Sequence, residues 1–398
     1  MPNPPLQKKL PLFILMLNLF IALLGQGMVI PILPDYLKQF HAAGTAAGYL
    51  VAAFGAAQFL FSPIGGRWSD QYGRKKMILI GLALTVISDY IFAIAYHLPV
   101  LYLARFIGGI GLGIMVPSVL AYVADITTHD QRAKGMGYLS AAMSLGMVLG
   151  PGIGGLLAGF DVRFPYFIAA GLGLVATVLT FVLPETLPVE KRTQVHKEAA
   201  TPSIWKQLVQ SFTLPYFPLL VLVLVMTFGL VNYETVFSLY IEQKYGFSSM
   251  EISVLITLGA AIGIIVQVWF MDKLIRRIGE YNLIRYSLIV TSIALLLMLI
   301  KVNFSYLIAV SALFFLFNSL LRPTVNTLLS KQAGDQQGFV AGLNTTYNSL
   351  GNILGPVIAG TLFDIHINLP YILGAFILMA TIGLIRRPKI QKKVSVEQ

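Results

Sequence analysis

Four ionisable side chains stand inside long apolar runs: Asp89, Arg105, Glu234 and Arg322. Charges are costly in such surroundings, so each marks a candidate functional site. A carboxylic acid there can trade a proton for a cation. A guanidinium can hold a buried carboxylate, exchange protons with water beside it, or bind an anionic ligand. Glu234 is the first candidate for the proton carrier, because a cation beside it favours the ionised form and expels the proton. Its alternative is a carboxylate near a helix end, wetted from outside and without a role; for Arg105 the alternative is a structural ion pair. Other chemistries lack their residues. The 398-residue sequence contains no Cys, which excludes a thiol nucleophile and a thiolate metal site. Its five His residues (His41, His97, His129, His196 and His366) fall at or near expected loops, offering neither a metal site nor a catalytic triad. Gly109-x-Gly111 is followed by Ile114 where a nucleotide fingerprint needs Gly, inside a run no phosphate could reach. No cofactor is expected.

The elements that must hold these groups are membrane helices. The chain is 57% hydrophobic and 11% charged, with mean hydropathy +0.77, whereas a soluble domain is about 25% charged. A spanning helix needs about 20 mostly apolar residues. Twelve segments qualify: 11–33, 46–68, 77–97, 99–124, 134–159, 164–184, 214–240, 248–271, 282–302, 304–330, 338–363 and 369–387. No cleavable signal is expected before the first, which is long enough to span. With a cytoplasmic N-terminus, Lys8, Lys9, Arg74, Lys75, Lys76, Arg132, Lys134, Lys273, Arg276, Arg277, Lys331 and the tail bases fall inside. Only Lys38, Arg163, Lys244 and Lys301 fall outside. The positive-inside rule thus accounts for most of the +11 net charge, and nucleic-acid binding is not needed to explain it.

The chain also repeats itself. Gly146–Gly155 reads GMVLGPGIGG, and Gly351–Gly360 reads GNILGPVIAG at an offset of 205 residues. Asp130-Gln131 and Asp335-Gln336, Gly137 and Gly342, and Ser144-Leu145 and Ser349-Leu350 match at the same offset. Two related halves follow: residues 1–184 and 213–387, with a polar linker over 185–212 and a tail over 388–398. Gly146, Gly150 and Gly154 share one helical face, smooth enough for a neighbouring helix to approach closely. Pro151 frees the carbonyl of Met147, and Gly355-Pro356 repeats the device. The expectation is a bent, close contact between the halves; the alternative is ordinary small-residue packing. Between the second and third segments, Gly66 and Gly73 allow close packing and a tight turn, and Asp70 could pair with Arg74 or receive a helix N-terminus from the other half.

These residues resemble the major facilitator superfamily. Gly66-x-x-x-Asp70-x-x-Gly73-Arg74-Lys75 is similar to its loop signature, and Gly146–Gly155 to its helix 5 antiporter motif. Arg105-x-x-x-Gly109-x-Gly111 is similar to its helix 4 pattern, and Leu24–Gly27 with Pro31 and Pro34 to the helix 1 signature of drug:proton antiporters. The likeness covers nearly the whole chain and is greatest to NorA-type multidrug exporters, on Tyr233-Glu234-Thr235, Ser238–Tyr240, Gln337–Phe339 and Gly342–Asn344. It implies an all-α membrane protein with twelve helices in two six-helix bundles and both termini cytoplasmic. It also implies proton-coupled export of amphipathic, often cationic compounds from a bacterial cell by a rocking monomer, with Glu234 as the acid. One departure stands out. Those exporters carry an acid in helix 10 ahead of the Arg-Pro pair; here Asn318-Ser319 precedes Leu320-Leu321-Arg322-Pro323. Either Glu234 works alone, or Asp89 or Asp35 shares the task. The substrate cavity is expected near the midplane between the halves, lined by Phe54, Gln58, Met143, Tyr233, Ser238, Asn318, Asn344 and Asn348. A rival within transport is an exporter of one metabolite, such as a sugar or lipid intermediate; a rival of another class is a membrane enzyme or a transporter-like sensor. The expected partners are small amphipathic solutes, protons and the lipid bilayer.

Overall fold

The computed structural model describes residues 5–187, 204–333 and 336–385. Twelve long helices run through it. The first half holds α1 (Pro5–Lys38), α2 (Gly44–Tyr72), α3 (Arg74–Ile94), α4 (Leu98–Ile126), α5 (His129–Ala158) and α6 (Phe164–Thr180). The second holds α7 (Phe217–Tyr245), α8 (Ser249–Ile278), α9 (Glu280–Leu297), α10 (Phe304–Ala333), α11 (Gln337–Ile365) and α12 (Leu369–Thr381), the last tightening into a 3₁₀ turn over Ile382–Leu384. Most helices run past the apolar segments that announce them, because the helix continues where polar side chains meet water. The expected linker 185–212 is not wholly irregular: a short helix, Ile204–Ser211, lies in it. Residues 188–203 of that linker and the tail 388–398 lie outside the described residues. Pro151 does not break α5, which continues from His129 to Ala158. Among the described residues nine helices are long and apolar enough to cross a membrane unaided. The α6 and α12 helices are shorter, and α11 is diluted by Asn344, Asn348 and Asn352.

The repeat governs the packing. The α1 helix packs on α5 and α6, α2 on α4, and α3 on α4 and α6. Six helices later the same pairs recur: α7 on α11 and α12, α8 on α10, and α9 on α10 and α12. Between the halves, α2 meets α11 and α5 meets α8, again a symmetric pair.

The glycine stretch does not join the halves in the expected way. A Cβ on Gly150 would lie 2.7 Å from the Leu24 carbonyl oxygen and 2.8 Å from the Gly27 Cα. Gly146 and Gly154 press equally hard on Phe20 and Met28. The Gly146, Gly150, Gly154 face therefore locks α5 to α1, inside one half. Gly351 and Gly355 meet α7 in the same way, at Leu224, Thr227 and Phe228. The contact between halves uses another face of α5: Gly155 against Ser249 and Ser253, and Gly152 against Thr257 of α8. Its counterpart sets Pro356 and Gly360 of α11 against Gly48 and Gly44 of α2. A stripe in which every fourth residue is Gly cannot reveal which of two neighbours it faces.

The described ends Pro5 and Ile385 share one side of the bundle, the terminal face. At the opposite, far face the halves are joined. Lys38 of α1 pairs with Glu242 of α7, and Ser249 Oγ of α8 donates to Asp35 of α1 at 2.5 Å. The Asp364 carboxylate of α11 accepts from the backbone N–H groups of Gly44 and Thr45, each at 2.8 Å, and so caps α2 from the other half. Ser238 Oγ of α7 donates to the Ile30 carbonyl of α1 at 2.7 Å. These four links between the halves lie in the far-face portion. The α2–α11 backbone contact runs only as deep as Gly55 and Asn352.

Candidate transport cavity

Where the halves part, a cavity of about 660 Å³, open solvent included, lies between them. Gln26, Val29, Ile30 and Leu33 line it from α1 at the 3, 4 and 7 spacing of one helical face. Leu50, Val51 and Phe54 enter from α2, Met147 from α5 and Arg105 from α4. The other half contributes Val231, Glu234 and Thr235 of α7. The wall is thus mostly apolar, with Gln26 and Thr235 as neutral polar groups and one acid and one base contributed by opposite halves. An adjoining pocket of about 280 Å³ shares Gln26, Phe54 and Arg105 and extends to Thr85, Ser88 and Asp89. The Ser88 and Thr85 hydroxyls donate to the backbone carbonyls of Ala104 (2.6 Å) and Leu82 (2.7 Å). Asp89 and Arg105 are therefore the charged groups facing that pocket.

Arg105 is only 8% exposed. Its guanidinium stacks over Phe92 at 4.6 Å, and Phe92 in turn stacks on Tyr166 at 4.4 Å and on Tyr36 at 5.3 Å. This aromatic floor closes the cavity toward the far face. Among the described residues no carboxylate stands within ion-pair distance of Arg105, nor does a base stand that close to Glu234. Asp89 lies five residues before the end of α3, on the far-face side of the helix middle.

The remaining expected residues scatter. Phe54 lines both pockets. Tyr233 does not: it is 1% exposed, stacks on Phe314 at 4.0 Å and turns its hydroxyl to Ser311. A helix turns about 100° per residue, so Glu234 can face the cavity only if Tyr233 faces the second half's core. Ser238 is buried at the α1 contact. Met143 is half-buried against the first half's core, and Met147, one turn on, reaches the cavity instead. Gln58 and Asn318 are half-buried off the cavity wall. Asn344 donates to Asn326 of α10 at 3.0 Å, and Asn348 accepts from Asn352 at 2.9 Å. Arg322 is exposed on α10, on the terminal-face side of the helix middle. Ser319 bridges α10 to α8, its hydroxyl donating to the Gly263 carbonyl at 3.0 Å.

At the terminal face, Gly73 takes φ 108° to turn α2 into α3. Arg74 is nearly buried and pairs with Asp70 and, at 3.2 Å, with Asp125 of α4. Asp70 is thus held in its own half and does not receive a helix of the other. Close packing in this stretch belongs to Gly65, whose Cβ would lie 2.6 Å from the Ile114 Cα; at Gly66 the nearest atom is Pro117 Cβ, 3.9 Å away. The Glu185 carboxylate accepts from the N–H groups of Arg74 (2.9 Å) and Lys75 (3.2 Å), capping α3, a bond nothing in the local sequence announces.

Two six-helix halves around a cavity joined over at one face define a solute transporter of the membrane. The Major Facilitator Superfamily model matches residues 15–356 and 270–397. "Multidrug resistance protein 2" of Bacillus subtilis is 42% identical over 379 residues, covering 95% of each chain. "Quinolone resistance protein NorA" of Staphylococcus aureus is 37% identical over 377 residues, covering 94% of this chain and 95% of its own. The crystal structure of the nucleoside transporter NupG superposes with TM-score 0.79 at 13% identity, covering 95% of this chain and 99% of its own, a likeness of fold alone. The chain belongs to the Major Facilitator Superfamily, and it is a multi-pass protein of the plasma membrane.

Proposed function

We propose that the chain is a proton-driven antiporter that exports amphipathic, often cationic drugs and dyes by alternating access. The observation that carries this reading is Glu234: a carboxylate with no base paired to it among the described residues, facing a mostly apolar cavity whose one base, Arg105, stands in the other half. A lipophilic cation gains both the apolar contact and the charge, and it competes with the proton for that charge. The relatives' names, multidrug and quinolone resistance, agree with a broad choice of cargo. With the terminal face cytoplasmic, as the positive charges of the loops indicate, the cavity opens inward. Residues 1–184 rock against 213–387, and protons drive the return. Since Ser319 is bonded to backbone and no acid of α10 lines the cavity, Asp89 is the second acid within reach of the cycle, with Arg105 as the shared countercharge. Arg322 supports the terminal-face half of the path. One chain contains the whole path, so the working unit is a monomer. A mostly apolar wall with few polar groups suits amphipathic cations better than a sugar, which needs hydrogen bonds along its length.

The test is dye efflux from cells lacking their own pumps. Wild type is expected to lower dye accumulation in a protonophore-sensitive way, and Glu234→Gln to leave accumulation at the level of empty cells while reaching the membrane in equal amount. Full efflux by the variant contradicts the assignment.

A further inference from the structure

The role of Arg105 goes beyond balancing the charge of Asp89. A guanidinium carries five N–H donors, yet this one is nine-tenths buried; its face stacks on Phe92, and the Tyr166 hydroxyl beside it can take one donor, which leaves the rest of its edge to the cavity side. The donors point along the plane, and Arg105 lines both the main cavity and the adjoining pocket. Buried donors of this kind are costly unless something accepts from them. Planar bidentate acceptance is what a carboxylate offers. Gln26, shared by the same two pockets, adds an amide beside it. Glu234 lines the same cavity but from α7, in the other half.

We propose that Arg105 is a specificity-determining residue that reads an anionic group on the substrate, so that the cavity takes zwitterions with an ammonium at Glu234 and a carboxylate at Arg105. Such a ligand bridges the two halves, whereas a simple cation is held by one charge only. The inference rests on the transport reading in that it takes this cavity as the substrate site, but it concerns binding and not proton coupling.

The experiment is equilibrium binding to the purified full chain in detergent, with a quinolone bearing a ring carboxylate and a piperazinyl amine, and with its ethyl ester. On wild type the acid is expected to bind at least tenfold more tightly than the ester. Arg105→Gln is expected to abolish that preference, weakening the acid tenfold or more and the ester less than twofold. Arg105→Lys is expected to restore part of it. Equal binding of acid and ester by wild type overturns the proposal without any variant, and so does an equal loss of both ligands in a folded Arg105→Gln protein. The proposal survives a failure of proton-driven efflux, because the preference is read at equilibrium; conversely, proton-driven efflux of the ester can stand while the preference is absent.

Discussion

Replacing Asp364 with asparagine removes a charge from the place where α2, a helix of the first half, is capped by the second half. The carboxylate accepts two backbone bonds, from Gly44 and Thr45, at 2.8 Å each. Asn keeps a single acceptor oxygen, so one bond survives without charge and the other N–H faces an amide NH₂. Hydrogen bonds to charged groups contribute about 1.5–3 kcal/mol, and the helix N-terminus adds about 0.3–1 kcal/mol. Asp364 is exposed, and solvent screening reduces both. A net loss of about 1–2 kcal/mol remains, which shifts the balance between far-face-closed and far-face-open forms by roughly tenfold, at 1.4 kcal/mol per decade. The chain has no Cys, so labels at Phe160→Cys and Met250→Cys, both exposed at the far ends of the α5–α8 pair, report that balance through spin–spin distances. The longer distance is expected to gain population about tenfold in Asp364→Asn, with an unchanged melting temperature for each half's core. A distance distribution indistinguishable from that of the unsubstituted labelled protein refutes the assignment of Asp364 as a far-face latch.

Four further outcomes follow. Gly150→Val drives a side chain into the Leu24 carbonyl and should lower stability by about 1–3 kcal/mol, read as a fall in melting temperature. Gly155→Ala, aimed at Ser253 of the other half, should instead favour the far-face-open form in the same distance assay with little change in melting. Tyr233→Phe keeps the stack on Phe314 and should leave substrate binding within twofold, while Tyr233→Ala should cost about 3–5 kcal/mol of stability, seen as poor expression or early melting. Glu185→Ala should destabilise the start of α3 by about 1 kcal/mol, detectable as faster amide exchange over Arg74–Met77.

Much of the fold is legible in hydropathy, because a bilayer demands runs of apolar residues and a repeat demands two halves. Contacts between helices are less legible. The stripe Gly146, Gly150, Gly154 announces a close approach but not its partner, and the structure assigns it to α1. The same limit explains Gly65 and Gly66, adjacent residues on different helical faces. At the cavity, Glu234 and Arg105 are legible because a charge in an apolar run needs a reason, and Phe54 only through the resemblance to NorA-type exporters. Val29, Ile30, Leu33, Leu50 and Met147 look like any packing residue, since a lipophilic ligand and a protein core ask for the same side chains. Tyr233 misled for the opposite reason: its neighbour points into the cavity, and the turn of the helix carries it away. The Asp364 cap was unreadable, as it joins residues 320 apart in sequence.

The central claim is that a proton and a cationic substrate compete for Glu234. It is tested most directly by adding a lipophilic monocation to the purified protein in weakly buffered detergent and recording the pH. Wild type should release protons in step with binding, saturating with the ligand, and Glu234→Gln should release fewer or none at any concentration. Proton release by Glu234→Gln equal to that of wild type, at equal occupancy, would contradict the account.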